Sequence, residues 1–178
     1  IEGSFQKKGW DAVNDLIKAS KEKDTISIIL NGAKILPASV LSEIKGKDIS
    51  LNLDMENGFI WKINGTSITS ETPIDTDLSV TNTAEYIPAA LYSLIFTNQN
   101  DFGFHLGRNG AFDFPAVLSV KADASCAGLM ANLFWYDAEN GVLQCIQTVT
   151  VGGAFERSIP YADFTLSKGQ DYFIAFGT

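Results

Sequence analysis

Apolar and polar positions alternate in two different rhythms along this chain. In residues 8–70, helical and strand spacings are mixed. Trp10, Val13 and Ile17 recur at helical spacing, with Asp11, Asp15, Lys18 and Lys21 on the opposite face. The short β-branched run at 25–30 reads as a strand that Asn31-Gly32 breaks. Pro37 suits the first turn of a second helix, whose stripe is Val40, Leu41 and Ile44, and Gly46 suits its stop. Ile49, Leu51, Leu53 and Met55 then alternate with polar residues, Asn57-Gly58 predicts a tight turn, and 59–63 returns as a partner strand. Asn64-Gly65 predicts another turn and 66–69 a short last strand. The two strands that flank the second helix are expected to run parallel.

From about residue 75 the pattern reads as almost purely β. Strands are predicted at 78–81, 91–97, 102–106, 111–120, 129–136, 142–149, 154–159 and 172–176. Turn chemistry separates several of them, at 107–110, 137–141, 152–153 and 168–171. Short strands at such spacing suggest a sandwich. The predicted fold class is therefore α+β: a small αβαββ subdomain over 1–70, then an antiparallel β-sandwich domain over 71–178, joined at Ser70-Glu71-Thr72-Pro73.

Charge follows the same division. Nine lysines balance nine acids in residues 1–70, whereas residues 71–178 set four cations against twelve acids. The second part thus carries the whole formal charge of −8, which disfavours nucleic acid and anionic membranes. No window holds 18 apolar residues, so no membrane insertion is expected. No basic-then-apolar leader opens the chain, so a secreted form would be a mature fragment or an excised module.

Several residues resemble a known module. The first stretch is Trp10, Val13, Ile17, 25–28, Pro37, Val40-Leu41, Ile44-Lys45-Gly46-Lys47-Asp48, Asn57-Gly58, Trp61 and Ile63-Asn64-Gly65. The second is Ile87-Pro88, 114–120, Ala127-Gly128, 130–136 and Asp171-Tyr172-Phe173-Ile174. Together they resemble an accessory module, a mixed α/β unit followed by a β-sandwich, found in large extracellular proteins of anaerobic gram-positive bacteria. The resemblance implies a secreted or cell-surface setting near cohesin, dockerin or carbohydrate-active modules, as in cellulosomes. It implies no established activity, and the matching residues look structural rather than catalytic. Trp135, where a smaller aromatic would be expected, and Cys126 depart from the pattern, so a ligand role for Trp135 does not come from the family.

The reactive groups are sparse. His105 is the chain's single histidine, and its alternation with Phe104 and Leu106 predicts an outward ring. No G-x-S-x-G elbow occurs, so no enzyme is expected. Cys126 and Cys145 are read on the two arms of the hairpin around 137–141, opposite about residues 152 and 133, out of register for a bridge and expected as free, mostly buried thiols. Asp137, Glu139 and Asn140, and Asp75 with Asp77, read as turn formers or as a structural calcium site; neither run has EF-hand spacing. No cofactor or metal is implied. On the strand 129–136, both faces are apolar, so it is either covered twice or offers one exposed platform. Trp10 and Trp61 read as core. Trp135 and Tyr136 are the candidate ligand-binding residues, because sugar C–H faces stack on flat rings. The expected function is a non-catalytic accessory module for carbohydrate binding or adhesion, with polysaccharide or neighbouring modules as partners. The alternative is a structural spacer or protein-docking module.

Overall fold

A computed structural model of the chain describes residues 9–30, 32–96, 98–152 and 159–177. Helix α1 (Trp10–Ala19) buries Ala12, Val13 and Ile17, with Asp11 in its first turn and Lys18 in its last, each favourably placed in the helix dipole. Strand β1 (Thr25–Ile29) is followed by the two-residue β2 (Ile35–Leu36) and by helix α2 (Ala38–Ile44), which Pro37 precedes as cap residue. Strand β3 (Ser50–Asp54) pairs parallel with β1, Ile26 opposite Leu51 and Ile28 opposite Leu53. Strand β4 (Phe59–Asn64) returns antiparallel to β3. The predicted strand at 66–69 is absent. Residues Gly65–Ser67 form a 3-10 turn instead, because the Asn64 side-chain oxygen accepts from the Thr66 N–H (2.9 Å) and hydroxyl (2.6 Å).

After the short β5 (Thr76–Asp77) and β6 (Val80–Thr81), the chain forms helix α3 (Ala89–Ile95), where a strand was predicted at 91–97. Pro88 caps a run of good helix formers, Ala89, Ala90 and Leu91, and they prevail over the aromatic and β-branched residues behind them. Two long strands dominate the rest: β7 (Phe102–Lys121) and β10 (Tyr161–Gly177), between which lie β8 (Met130–Asp137) and β9 (Val142–Thr150). Of the strand predicted at 154–159, residues 154–158 lie outside the described residues.

The turns predicted at 107–110 and 168–171 do not end their strands. They face each other as matched irregularities in one continuous β7–β10 pair, whose register shifts between Leu166 and Lys168 and between Lys168 and Gln170. Turn-type residues here bend a ladder, as bulges do. The close approach is extreme at Gly169: an added Cβ would lie 1.8 Å from the Arg108 carbonyl oxygen. Gln170 sits at φ 83 and donates its side-chain amide to that same carbonyl (3.1 Å).

The bend divides one sheet into two wings. The outer halves, Val117–Val120 of β7 and 161–166 of β10, continue the β1-β3-β4 side. The inner halves, 102–106 and 170–177, join β6 on one side and β8 and β9 on the other. The fold is mixed α/β, mostly strand, in a sheet that curls. Gln147 of β9 spans the curl, its amide donating to the Thr165 carbonyl (2.6 Å) and accepting from the Thr165 N–H (3.0 Å). One apolar core takes side chains from α1, α2 and both wings, with Trp61, Phe164, Leu133 and Ile174 among them. Trp61 is 1% exposed and its indole N–H donates to the Leu78 carbonyl (2.9 Å); Trp10 is only half-buried. A smaller cluster, Ile87, Tyr136 and Phe173, lies on the far face of the second wing beneath α3. Strand β8 is therefore covered on both faces, by the main core and by α3.

Both cysteines are free. Cys126 is buried, but in a 3-10 turn rather than a strand, and Cys145 is exposed, which corrects the expectation of buried thiols for both. Cys145 pairs with Phe134, one residue beyond the predicted partner, because a bulge shifts the β8–β9 register between Leu133 and Phe134. No helix among the described residues is long and apolar enough to cross a membrane.

Candidate functional site

A cleft of about 440 Å³ opens where the end of β8, the hairpin loop after it, the bend of β10 and the segment before α3 meet. Each wall follows from local folding. Strand alternation places Trp135 on the main-core face of β8 and Tyr136 on the α3 face. The bend brings the Gly169 carbonyl to the Trp135 indole N–H (3.1 Å) and swings Lys168 so that its ammonium lies 3.5 Å from the Trp135 ring centroid. Trp135 and Tyr136 thus line the same cleft, though in different states: Trp135 is half-buried with an ammonium over its ring, and Tyr136 is 7% exposed.

The hairpin loop supplies acids. Asp137 accepts from the Glu139 N–H (3.1 Å), the Asn140 N–H (3.2 Å) and the Asn140 side-chain amide (2.7 Å). The Asn140 amide is the main cause holding the Asp137 carboxyl below its ordinary range. These bonds give Asp137 the turn-forming role. In the second oxygen-rich run, Asp75 accepts from the Ala38 N–H (2.7 Å) and Asp77 from the Ser79 N–H (2.8 Å). Glu139 is exposed at the cleft rim.

Tyr86, which pattern reasoning passed over, also lines the cleft and is 53% exposed. The only hint in the sequence was an aromatic ring set in the polar run 81–86. Behind it lies a buried polar group. Asp171 is fully buried and accepts three successive backbone N–H groups, from Glu85 (3.0 Å), Tyr86 and Ile87 (2.9 Å). His105, opposite Asp171 in the β7–β10 ladder, brings Nδ1 to 2.7 Å from the same carboxylate.

The prediction of an outward His105 is thereby corrected. Alternation does place it opposite Phe104 and Leu106, but that face of β7 is covered by the segment before α3. The imidazole is 8% exposed and meets the Tyr86 ring edge-on, with centroids 5.5 Å apart. Its Nε2 lies 3.5 Å from a Glu85 carboxylate oxygen. Both ring nitrogens face carboxylates, so the imidazole is not poised against a hydroxyl as a nucleophile's base would be. What this site can do is hold a ligand between an exposed ring and several hydrogen-bonding groups. Among the described residues, no group of three or more His, Cys, Asp and Glu side chains is arranged to hold a metal ion. Comparison with known protein families, curated proteins and solved structures finds no match to this chain.

Proposed function

We propose that this chain is a non-catalytic accessory module of a secreted or cell-surface multimodular protein, and that its cleft binds carbohydrate. In this reading the chain is a mixed α/β unit followed by an antiparallel β-sandwich. The observation that carries the proposal is the union of an exposed ring, Tyr86, with Lys168, Gln170 and Glu139 in one hollow. Sugar C–H faces stack on such rings, while ammonium, amide and carboxylate groups engage the hydroxyls. The volume falls within the usual range for small-molecule sites, about 300–1,000 Å³. The acidity of residues 71–178 supports a neutral ligand over a polyanion.

Retention on insoluble polysaccharides tests this, with Tyr86→Ala and Trp135→Ala alongside. The expected outcome is retention of the wild type on at least one polysaccharide, weakened most in Tyr86→Ala. Wild-type protein that passes through every matrix, or three proteins retained alike, would remove the reading.

A second reading, a spacer or docking module, draws on a different observation. Trp135 is already engaged within the chain, by the Gly169 carbonyl and the Lys168 ammonium, so its ring does not need a ligand. That reading expects no glycan retention and a purely structural cost on losing Trp135.

A further inference from the structure

We propose that Asp171 is the positioning residue of the cleft, holding Tyr86 in the wall where the ligand docks, with His105 as its brace; this rests on the carbohydrate-binding reading above. Asp171 touches the ligand space only from behind. One carboxylate oxygen takes the Glu85 N–H and His105 Nδ1, and the other takes the Tyr86 and Ile87 N–H groups. With its oxygens so engaged and no exposed surface, it acts through the peptide that it grips.

That peptide needs the grip. It belongs to no strand or helix; Ile87 is buried at its end, and among the described residues Tyr86 is held through its N–H and the edge contact with His105. The helix that follows is anchored separately, Tyr92 meeting Phe173 edge-on (centroids 5.4 Å apart) and its hydroxyl accepting the Gly103 N–H (3.1 Å), so the Asp171 clamp is what fixes the stretch ahead of it. A buried carboxylate bonded to several N–H groups is a strong, directional clamp. An exposed ring delivers binding energy only if it is already in place when the ligand arrives. Glu85 of the same segment adds to the brace, its carboxylate lying 3.5 Å from His105 Nε2.

Backbone amide hydrogen exchange and binding of cellohexaose, xylohexaose and chitohexaose, measured on the full chain, test the proposal. Asp171→Asn keeps the side-chain shape but loses the charge and one accepting atom. It is expected to speed exchange at Glu85, Tyr86 and Ile87 while amides of β8 keep their protection. Affinity for whichever hexaose binds the wild type should fall about tenfold, the scale of one charge-assisted hydrogen bond. Combined with Tyr86→Ala, Asp171→Asn should cost nothing further, since both act through one ring. Unchanged exchange at the three amides overturns the clamp. Faster exchange with undiminished affinity, or losses that multiply in the double variant, overturns the positioning role. If no hexaose binds the wild type, the carbohydrate reading fails, and the exchange data still decide whether Asp171 holds Tyr86. Should Asp171→Asn not fold, His105→Gln removes the brace alone, with a smaller rise in exchange at Tyr86 expected and none overturning the proposal.

Discussion

Two tryptophans mark two regions built by the same device to different ends. Trp61 and Trp135 each stand on a strand and each donate their indole N–H to a backbone carbonyl, of Leu78 and Gly169. Around Trp61 the enclosure is complete: the ring is 1% exposed and meets Phe112 edge-on with centroids 5.7 Å apart. Around Trp135 it is not, and the missing neighbour is replaced by a lysine ammonium. The second region also holds a helix without a buried side chain and a peptide secured by a buried carboxylate. Apolar packing makes the first region insensitive to polar detail. The second depends on individual hydrogen bonds, which suits a place where a ligand competes for contacts.

The contrast predicts unequal costs. Trp61→Ala should be the most damaging change, lowering stability by about 3–5 kcal/mol in denaturant melts, as for a fully buried aromatic. A cost near that of an exposed residue would show that the Trp61 region is not the stabilising one. Next comes Gly169→Ala. Its Cβ would meet the Arg108 carbonyl, which is backbone and cannot turn aside, so about 1–3 kcal/mol should be lost. Because the bend also aims Lys168 and the Gly169 carbonyl at Trp135, the same variant should red-shift tryptophan emission. Full stability with unshifted emission would separate the bend from the cleft.

The first region was the more legible in sequence for the same physical reason. Trp10, Val13 and Ile17, the alternation of Leu51 and Leu53, and Asn57-Gly58 report local geometry, and the structure follows them. Further along, the same residue types carry two meanings. Gly107–Gly110 and Lys168–Asp171 look like hairpin turns when each is read alone; only their pairing with each other makes them a bend in continuous strands. Residues 91–97 are apolar enough for either a strand or a helix, and the cap at Pro88 decides. The cleft was half legible. Trp135 and Tyr136 were singled out as flat rings on one predicted strand, and both line the cleft, whereas Tyr86, Lys168 and Asp171 come together only through partners distant in sequence. No local pattern announces that an aspartate will gather three N–H groups 84 to 86 positions away.

Smaller effects sharpen the comparison at the second tryptophan. Trp135→Ala removes an indole hydrogen bond and a cation–π contact but little core, so about 1–2 kcal/mol should be lost, clearly less than at Trp61. A loss equal to that of Trp61→Ala would make Trp135 a core residue and favour the spacer reading.

The smallest and most selective change is Lys168→Met. Methionine keeps an apolar side chain of similar length and deletes only the ammonium, so about 0.5–1 kcal/mol of cation–π attraction is at stake. Acrylamide quenching reads the result, because the Trp61 ring is shielded and the half-buried Trp10, far from Lys168 in sequence, contributes equally before and after the change. Quenching should rise in Lys168→Met through Trp135 alone, and Trp135→Phe in the same background should abolish the increase. If quenching does not change, the ammonium is not what closes that face of Trp135, and the two regions differ less than their contacts suggest.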